Sequence, residues 1–158
     1  MEEMITPYEL PEIKDHSFFF IDQRIATHIE AKLHKHDAWE LYHVIHGHGN
    51  RIAGDTLQPF SAGDVVLIPP SMHHYWQYAP TSADNDGCIH YLMVAFSHSL
   101  ITRCIEVFPE LRNRLTSLTF PVNALKYGLE SSRVIRKMLS QMNDMDDLGR
   151  LSAMFRLL

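Results

Sequence analysis

Apolar and polar residues alternate in the first part of the chain with the period of two that is typical of half-buried β-strands. Between residue 17 and about residue 96, short stretches such as SFFFID, WELYHVIHG, VVLIPP and CIHYLMVAF are separated by turn-rich sequences such as GHGN and TSADNDG. Asp, Asn, Ser and Gly favour turn conformations, so these separators predict short strands joined by turns. Many short strands with frequent turns are typical of an antiparallel sandwich or barrel.

The period of the apolar residues changes after residue 96. The stretch HSLITRCIEVF has the spacing of one apolar helical face, and Pro109 fits the first turn of a second helix. Apolar residues recur at helical spacing over positions 125–142 and again over positions 148–158, with Asp144 or Asp146 as the candidate N-cap of the last helix. The sequence stops inside the apolar stretch FRLL, so we expect the last helix to lead into a further part of a longer protein.

These patterns divide the chain into three parts. Residues 1–15 are predicted to form an irregular arm, residues 16–97 a β-barrel, and residues 98–158 a helical subdomain. The predicted fold class is therefore mainly β, an antiparallel barrel with C-terminal helices. One barrel cannot cover both faces of every helix, so we expect part of the helical surface to form a homodimer interface.

Composition narrows the class of protein. The chain has 158 residues, of which 46% are hydrophobic and 21% are charged, as is ordinary for one soluble domain. The net charge of −5 argues against a DNA-binding surface in this chain, because such a surface needs a basic face. Two cysteines make no disulfide framework, and the sequence has neither a signal peptide nor an apolar run long enough to cross a membrane. We therefore expect a cytoplasmic protein without a membrane partner.

Histidines are the chemical feature that stands out, and many of them lie between residues 34 and 74. Side chains two residues apart leave the same face of a strand, so His34, His36 and Glu40 share one face. If that face and the face that carries His74 line one interior, the four side chains converge. Imidazole and carboxylate groups are suitable ligands for Zn, Ni, Mn or Fe. The other histidines of this region are expected to lie outside the cluster: His43, His46, His48 and His73.

Three aromatic residues have the same inward parity as the polar cluster: Tyr42, Trp76 and Tyr78. A sugar ring has apolar C–H faces beside its hydroxyls, so an aromatic wall next to polar groups suits a sugar. The alternative is that these rings only fill the core. His90 has the same even parity on a later strand, and we expect it at the rim of the pocket.

The spacing of these residues resembles the two motifs of the cupin superfamily. The matching positions are His34, His36, Glu40 and Gly47 in the first motif and Gly63, Pro69 and His74 in the second. Three positions depart from the family pattern, namely His28, Ser71 and Tyr78. The resemblance implies a double-stranded β-helix, or jelly roll, in which all four metal-ligand positions are filled.

A longer resemblance covers residues 17 to 158. The stretches LHKHDAWELYHVIHGHGNRIAG, FSAGDVVLIPPSMHHYW and HYLMVAFSHSL are similar to the N-terminal effector-binding and dimerisation domain of AraC-family transcription regulators. The resemblance implies a barrel that binds a small effector, often a sugar, and a homodimer formed through the C-terminal helices. It also implies an arm that closes over the pocket, and DNA binding only through a domain outside this chain.

Three interpretations of the polar cluster stay open: a mononuclear metal site, a polar effector pocket, and a buried cluster whose members satisfy one another. We expect the sensor domain of a regulator, which requires no cofactor. The alternative is a metal-dependent cupin enzyme of the dioxygenase or isomerase type with three histidines and one glutamate at its site. The candidate ligand-binding residues are His34, His36, Glu40, Tyr42, His74, Trp76 and Tyr78.

Overall fold

The computed structural model describes residues 16–27, 32–119 and 123–158. The predicted arm, residues 1–15, lies outside these ranges, as does His28. The described residues form eight strands: β1 (Phe18–Ala26), β2 (Ala38–His46), β3 (Gly49–Ala53), β4 (Thr56–Phe60), β5 (Val65–Ile68), β6 (His74–Tyr78), β7 (Cys88–Ser97) and β8 (Leu125–Lys126). Four α-helices follow or interrupt them: α1 (His98–Val107), α2 (Arg112–Leu115), α3 (Leu129–Gln141) and α4 (Asp147–Leu157).

The strands form two antiparallel sheets. The larger sheet has the order β1-β7-β2-β5-β8, and the smaller sheet has the order β4-β3-β6. In the part of the chain that the structure describes, the two sheets do not close into a continuous barrel, although an isolated β-bridge joins His34 to His74. The fold is nevertheless the cupin-type antiparallel barrel with C-terminal helices that the sequence predicts, and this prediction is confirmed.

The inner faces of the two sheets pack against each other and form one hydrophobic core. Its members come from both sheets: Tyr42, Val44, Ala53, Phe60, Val66, Ile68, Trp76, Met93 and Ala95. Successive side chains of a strand point to opposite faces, so the even-numbered residues of β2, β5 and β6 face this interior. On β7 the odd-numbered residues do so, because Tyr42 is paired with Met93 and Glu40 with Ala95.

The outer face of the larger sheet packs against the helices and forms a second core. Trp39 and Leu41 of β2, Phe96 of β7, Ile101 of α1 and Leu139 of α3 are all buried in it. The Trp39 and Phe96 rings stack with centroids 6.2 Å apart. Burial of apolar side chains between a sheet and its covering helices is the main force that holds such layers together.

The last helix begins at one of the two N-cap residues that the sequence predicts. Asp146 is the N-cap of α4, and its Oδ1 accepts a hydrogen bond from the Gly149 backbone N–H at 2.8 Å. This bond satisfies one of the amide groups that the first turn of a helix leaves without a partner.

A tight corner between β5 and β6 determines where His74 lies. The corner contains Pro69 and Pro70, and Ser71 follows with a φ of 61°, in the left-handed region that side chains with a Cβ rarely adopt. The Ser71 backbone N–H donates a hydrogen bond of 2.8 Å to the His36 carbonyl, which ties the corner to the segment that carries two of the candidate ligands. Ser71 occupies the cupin position where glycine is expected, so the backbone keeps the glycine conformation without the glycine.

We expect Ser71→Gly to stabilise the protein. Glycine removes the steric penalty of the left-handed conformation, and this gain exceeds the entropy that glycine adds to the unfolded chain, so the free energy of unfolding should rise by about 0.5–1 kcal/mol. Urea denaturation followed by circular dichroism measures the change. Ser61→Gly is the matched control, since Ser61 is also exposed but has no positive φ. Equal effects of the two substitutions would contradict the prediction.

Candidate functional site

Two chain segments bring the four polar side chains together. His34 and His36 lie just before β2, Glu40 lies on β2, and His74 is the first residue of β6. The backbone of His34 pairs with that of His74 through two hydrogen bonds, with N···O distances of 3.1 Å and 2.9 Å. This pairing places the histidines side by side, and their ring centroids are 4.3 Å apart. The convergence that strand parity predicts for His34, His36, Glu40 and His74 is therefore present.

Glu40 is the centre of the cluster. Its side chain is 5% exposed, and its Oε1 accepts a hydrogen bond of 2.8 Å from His36 Nε2. Its Oε2 lies 3.2 Å from His74 Nε2, a contact that lacks hydrogen-bond geometry. The carboxylate thus touches both imidazoles from inside the barrel, where water does not compete for it.

The electrostatics of the cluster favour a charged Glu40. Burial raises the pKa of the Glu40 carboxyl, but the hydrogen bond from His36 and the nearby His74 outweigh burial and lower it to about 2. Burial lowers the pKa of His74, but the neighbouring carboxylate of Glu40 raises it above its ordinary value. Burial lowers the pKa of His34, and this effect outweighs that of its hydrogen bond to the Lys32 carbonyl. The cluster can therefore hold a negative charge in the barrel interior because imidazoles surround it.

The outer ring nitrogens fix the orientation of two histidines. His34 Nδ1 lies 2.8 Å from the Lys32 carbonyl, and His74 Nδ1 lies 2.9 Å from the Met72 carbonyl. A carbonyl only accepts, so both rings carry their proton on Nδ1 when neutral, and the lone pair is on Nε2. Histidines that bind a metal through one ring nitrogen usually have such a hydrogen bond from the other ring nitrogen.

The donors present fit a divalent transition metal. Three imidazoles and one carboxylate each offer one ligand atom, and these atoms all lie within 4.8 Å of one another. His74 Nε2 is buried and has no hydrogen-bond partner, so it is available to a ligand. The proton of His36 at Nε2 would have to move to Nδ1 or leave, since only a deprotonated nitrogen binds a metal. His34, His36, Glu40 and His74 would hold the ion, which would act as a Lewis acid toward an oxygen-bearing ligand.

An aromatic wall continues from the cluster along the interior. The Tyr42 ring stacks on Trp76 with centroids 4.1 Å apart, and the Tyr42 and Tyr78 hydroxyls lie 3.0 Å apart. Burial raises the pKa of both phenols, so both hydroxyls stay protonated and can donate or accept. The three aromatic residues named from parity therefore lie together beside the polar cluster.

The first-motif glycine explains the position of Tyr78. Gly47 has a φ of 124°, and a Cβ built on it would lie 2.6 Å from Tyr78 Cε1. The Tyr78 ring therefore packs directly over the Gly47 backbone, which only glycine permits.

Sequence reasoning missed three residues of the interior wall. The Phe60 ring meets Trp76 edge to face at 5.0 Å, and Tyr91 stacks on Tyr42 at 4.6 Å. The guanidinium of Arg51 lies 5.3 Å from the Trp76 ring centroid. Strand registers would have found all three. Arg51 is paired with Trp76, Tyr91 with Val44, and Phe60 with Gly49, which is itself paired with Tyr78. The register between strands is not readable from alternation alone.

The prediction for His90 is wrong. Its Nε2 contacts Asp22 Oδ1 on β1, and the register of β7 turns the even-numbered residues away from the interior. The other histidines lie outside the cluster as expected. His43 faces the helices, with Nδ1 3.3 Å from the Asp64 carbonyl, and His46 and His48 are exposed at the strand end.

The comparison with protein families identifies the chain. The model of the AraC-like ligand-binding domain matches residues 15–158. The chain therefore belongs to the family of AraC-like ligand-binding domains. No curated protein sequence matches the chain at a significant level.

The solved structures that are similar to this chain have low sequence identity to it. Apo ToxT from Vibrio cholerae has a TM-score of 0.50 and 12% identity, and the match covers 89% of this chain and 53% of ToxT. The chain thus spans about half the length of ToxT. A cupin protein from Bacteroides fragilis matches with a TM-score of 0.40 and 19% identity over 51% of this chain and 66% of its own. A cupin 2 conserved barrel domain protein from Salinispora arenicola matches with a TM-score of 0.42 and 20% identity over 61% of this chain and 76% of its own.

None of the helices in the part of the chain that the structure describes combines the length and the apolar character that a bilayer-spanning helix needs.

We expect Glu40→Gln to destabilise the metal-free protein, in a manner that depends on pH. The pKa of Glu40 is about 2 in the folded protein, below the ordinary value of an unfolded glutamate, so its contribution is present above about pH 4.3 and is lost as the pH falls toward 2. The free energy of unfolding should fall by about 1–3 kcal/mol near neutral pH, because the amide replaces a charge-assisted hydrogen bond.

Urea denaturation at several pH values, with a chelator present, measures this difference. Glu130→Gln on α3 is the matched control, since the Glu130 side chain is 87% exposed. The gap between native protein and Glu40→Gln should narrow below about pH 4. A gap that stays constant down to pH 2 would show that Glu40 is not held ionised by its neighbours.

Proposed function

We propose that this domain senses a small polar effector that binds between the two sheets, against the His/Glu cluster and the aromatic wall. The convergence of His34, His36, Glu40 and His74 on the inner face of a ligand-binding domain carries this proposal. Buried polar groups need partners, and a ligand with several hydroxyls offers donors and acceptors to imidazole and carboxylate alike.

The aromatic wall supports a sugar or a similar ring as the effector. A pyranose would place its C–H face against such a wall, while the Tyr42 and Tyr78 hydroxyls and the polar cluster would bind its oxygens. The candidate ligand-binding residues are those predicted from the sequence: His34, His36, Glu40, Tyr42, His74, Trp76 and Tyr78. The domain needs no cofactor for this role.

The proposed mechanism is linkage between effector binding and domain arrangement. An effector that binds one arrangement of barrel and helices more tightly than another shifts the population toward that arrangement. A DNA-binding part of the same regulator, outside this chain, would report the shift in the cytoplasm. The proposed closure of residues 1–15 over the pocket belongs to the same mechanism.

Tryptophan fluorescence tests effector binding. The chain has two tryptophans, and Trp39→Phe leaves Trp76 as the only one, in contact with Tyr42 in the barrel wall. We expect a saturable change in Trp76 emission when a monosaccharide that binds the domain by calorimetry is titrated into the Trp39→Phe variant. Trp76→Phe is the control, because it keeps only Trp39, which faces the helices. Calorimetric binding that leaves Trp76 emission unchanged would place the ligand site elsewhere.

The second candidate function is a metal-dependent cupin enzyme. The complete set of three histidines and one glutamate favours it, since this set offers a metal its ligands and leaves positions for substrate. Protein expressed without a histidine tag should be analysed for Zn, Ni, Mn and Fe, and effector binding measured before and after chelation. A stoichiometric metal whose removal abolishes a measurable turnover would favour the enzyme, whereas effector binding that survives chelation favours the metal-independent sensor.

We also propose that the domain forms a homodimer through its C-terminal helices. Large apolar side chains are exposed on two of them, including Leu129 at 87%, Val134 at 59% and Leu148 at 74%. Exposed apolar side chains on neighbouring helices are suited to a second copy of the same surface.

Leu148→Lys should therefore shift the protein toward monomer, since a buried ammonium without a partner opposes association. Sedimentation velocity over a range of concentrations measures the shift. Leu57→Lys is the matched control, because Leu57 is 66% exposed on β4, away from the helices. Native protein that stays monomeric at high concentration would exclude the dimer.

A further inference from the structure

Arg51 is a buried cation whose hydrogen-bonding capacity is largely unused. It lies on β3 with its side chain in the interior, and the residue is 3% exposed. Its Nη2 donates a hydrogen bond of 2.7 Å to Gln58 Oε1. Its Nε and Nη1 are both buried and have no hydrogen-bond partner. Guanidinium N–H groups in that position normally have acceptors, so this arrangement is costly unless a ligand supplies them.

The neighbours of Arg51 do not replace a counter-ion. Trp76 lies against the guanidinium, but a ring below the plane of the group does not accept its in-plane N–H bonds. No carboxylate of the described residues forms an ion pair with Arg51, and Asp64 acts on it only at longer range. Burial lowers the pKa of Arg51, yet an arginine side chain keeps its proton in proteins. The barrel interior therefore contains an uncompensated positive charge.

Arg51 lies one step along the sheet from the His/Glu cluster. Arg51 is paired with Trp76, and Ala53 is paired with His74, two residues along the same strands. Two residues of a strand span about 7 Å, so the guanidinium and the cluster are separated by roughly the length of a small molecule. Trp76 lies at the positively charged end, and both ends lie on the same inner face.

We propose that the effector of this domain is an acid, and that its carboxylate binds Arg51 while its hydroxyls face the His/Glu cluster. This inference rests on the proposed sensing function and narrows its ligand from a neutral sugar to a sugar acid or a comparable small carboxylate. A monoanion fits better than a phosphate ester, because one arginine supplies one charge and the ionised Glu40 nearby repels a dianion.

Matched pairs of ligands that differ only in charge test the proposal. Calorimetry with D-galacturonate against D-galactose, and D-glucuronate against D-glucose, measures the preference of the native domain for the acid. We expect the acid of at least one pair to bind at least tenfold more tightly than its neutral partner. Arg51→Met should remove that preference, while Arg51→Lys, which keeps the charge, should keep part of it. Arg133→Met is the matched control, since the Arg133 side chain on α3 is 73% exposed.

A second readout does not depend on the choice of ligand. If the unliganded protein holds an uncompensated cation, Arg51→Met should raise its thermal midpoint, whereas a purely structural arginine would give a lower midpoint. A lower midpoint, or equal binding of acid and neutral sugar by the native domain, would overturn the proposal.

Binding of neutral sugars separates this proposal from the sensing function. If a neutral sugar binds and changes Trp76 emission while its acid binds no more tightly, this result would refute the proposal of an acidic effector and would still support the sensing function. Absence of any binding that reaches Trp76 would refute both.

Discussion

The pairing of His34 with His74 is the constraint on which the inner end of the barrel depends. These residues form an isolated β-bridge between the segment before β2 and the start of β6, which belong to different sheets. Because the bridge aligns the two backbones, it determines which side chains meet across the interior, and Glu40 comes to lie between imidazoles. The left-handed turn at Ser71 supports the bridge, because the Ser71 N–H donates a hydrogen bond to the carbonyl of His36, two residues after His34. Corner, bridge and carboxylate therefore act as one local unit, and the chemistry of the site follows from a few backbone hydrogen bonds.

Much of this unit is readable from the sequence, for a definite reason. His34, His36 and Glu40 are close in the chain, and the period of two of a strand puts them on one face without knowledge of any other strand. The same rule assigns His74, Trp76 and Tyr78 to one face of β6. The cupin spacing then supplies the remaining step, which is that these two faces point toward each other. The fold class was predictable for the same reason, since both alternation and helical spacing are local properties of the chain.

What the sequence did not reveal is the register between strands. His90 has the parity of the inner residues on β2, but β7 is paired so that its odd-numbered residues face inward, and His90 contacts Asp22 instead. Tyr91, its neighbour in the chain, occupies the inner face. Arg51 was missed because a single arginine in a short, turn-rich stretch looks like an exposed residue of an edge hairpin. Only the pairing of β3 with both β4 and β6 places it in the interior. Register depends on long-range contacts, and no local pattern encodes it.

Strand β2 separates the two cores and contributes to both. Tyr42 and Val44 line the interior, while Trp39 and Leu41 pack under the helices. The three-stranded sheet differs, since much of its outer face is open to solvent, as the exposed Gln77 on β6 illustrates. A substitution that moves the backbone of β2 disturbs the aromatic wall and the helical layer together. In β3, β4 and β6, residues on the outer face can be substituted without contact to a second core. Related domains that bind different ligands are therefore expected to differ most in the residues of the smaller sheet. Strand β2 should vary less, because its side chains pack in both cores.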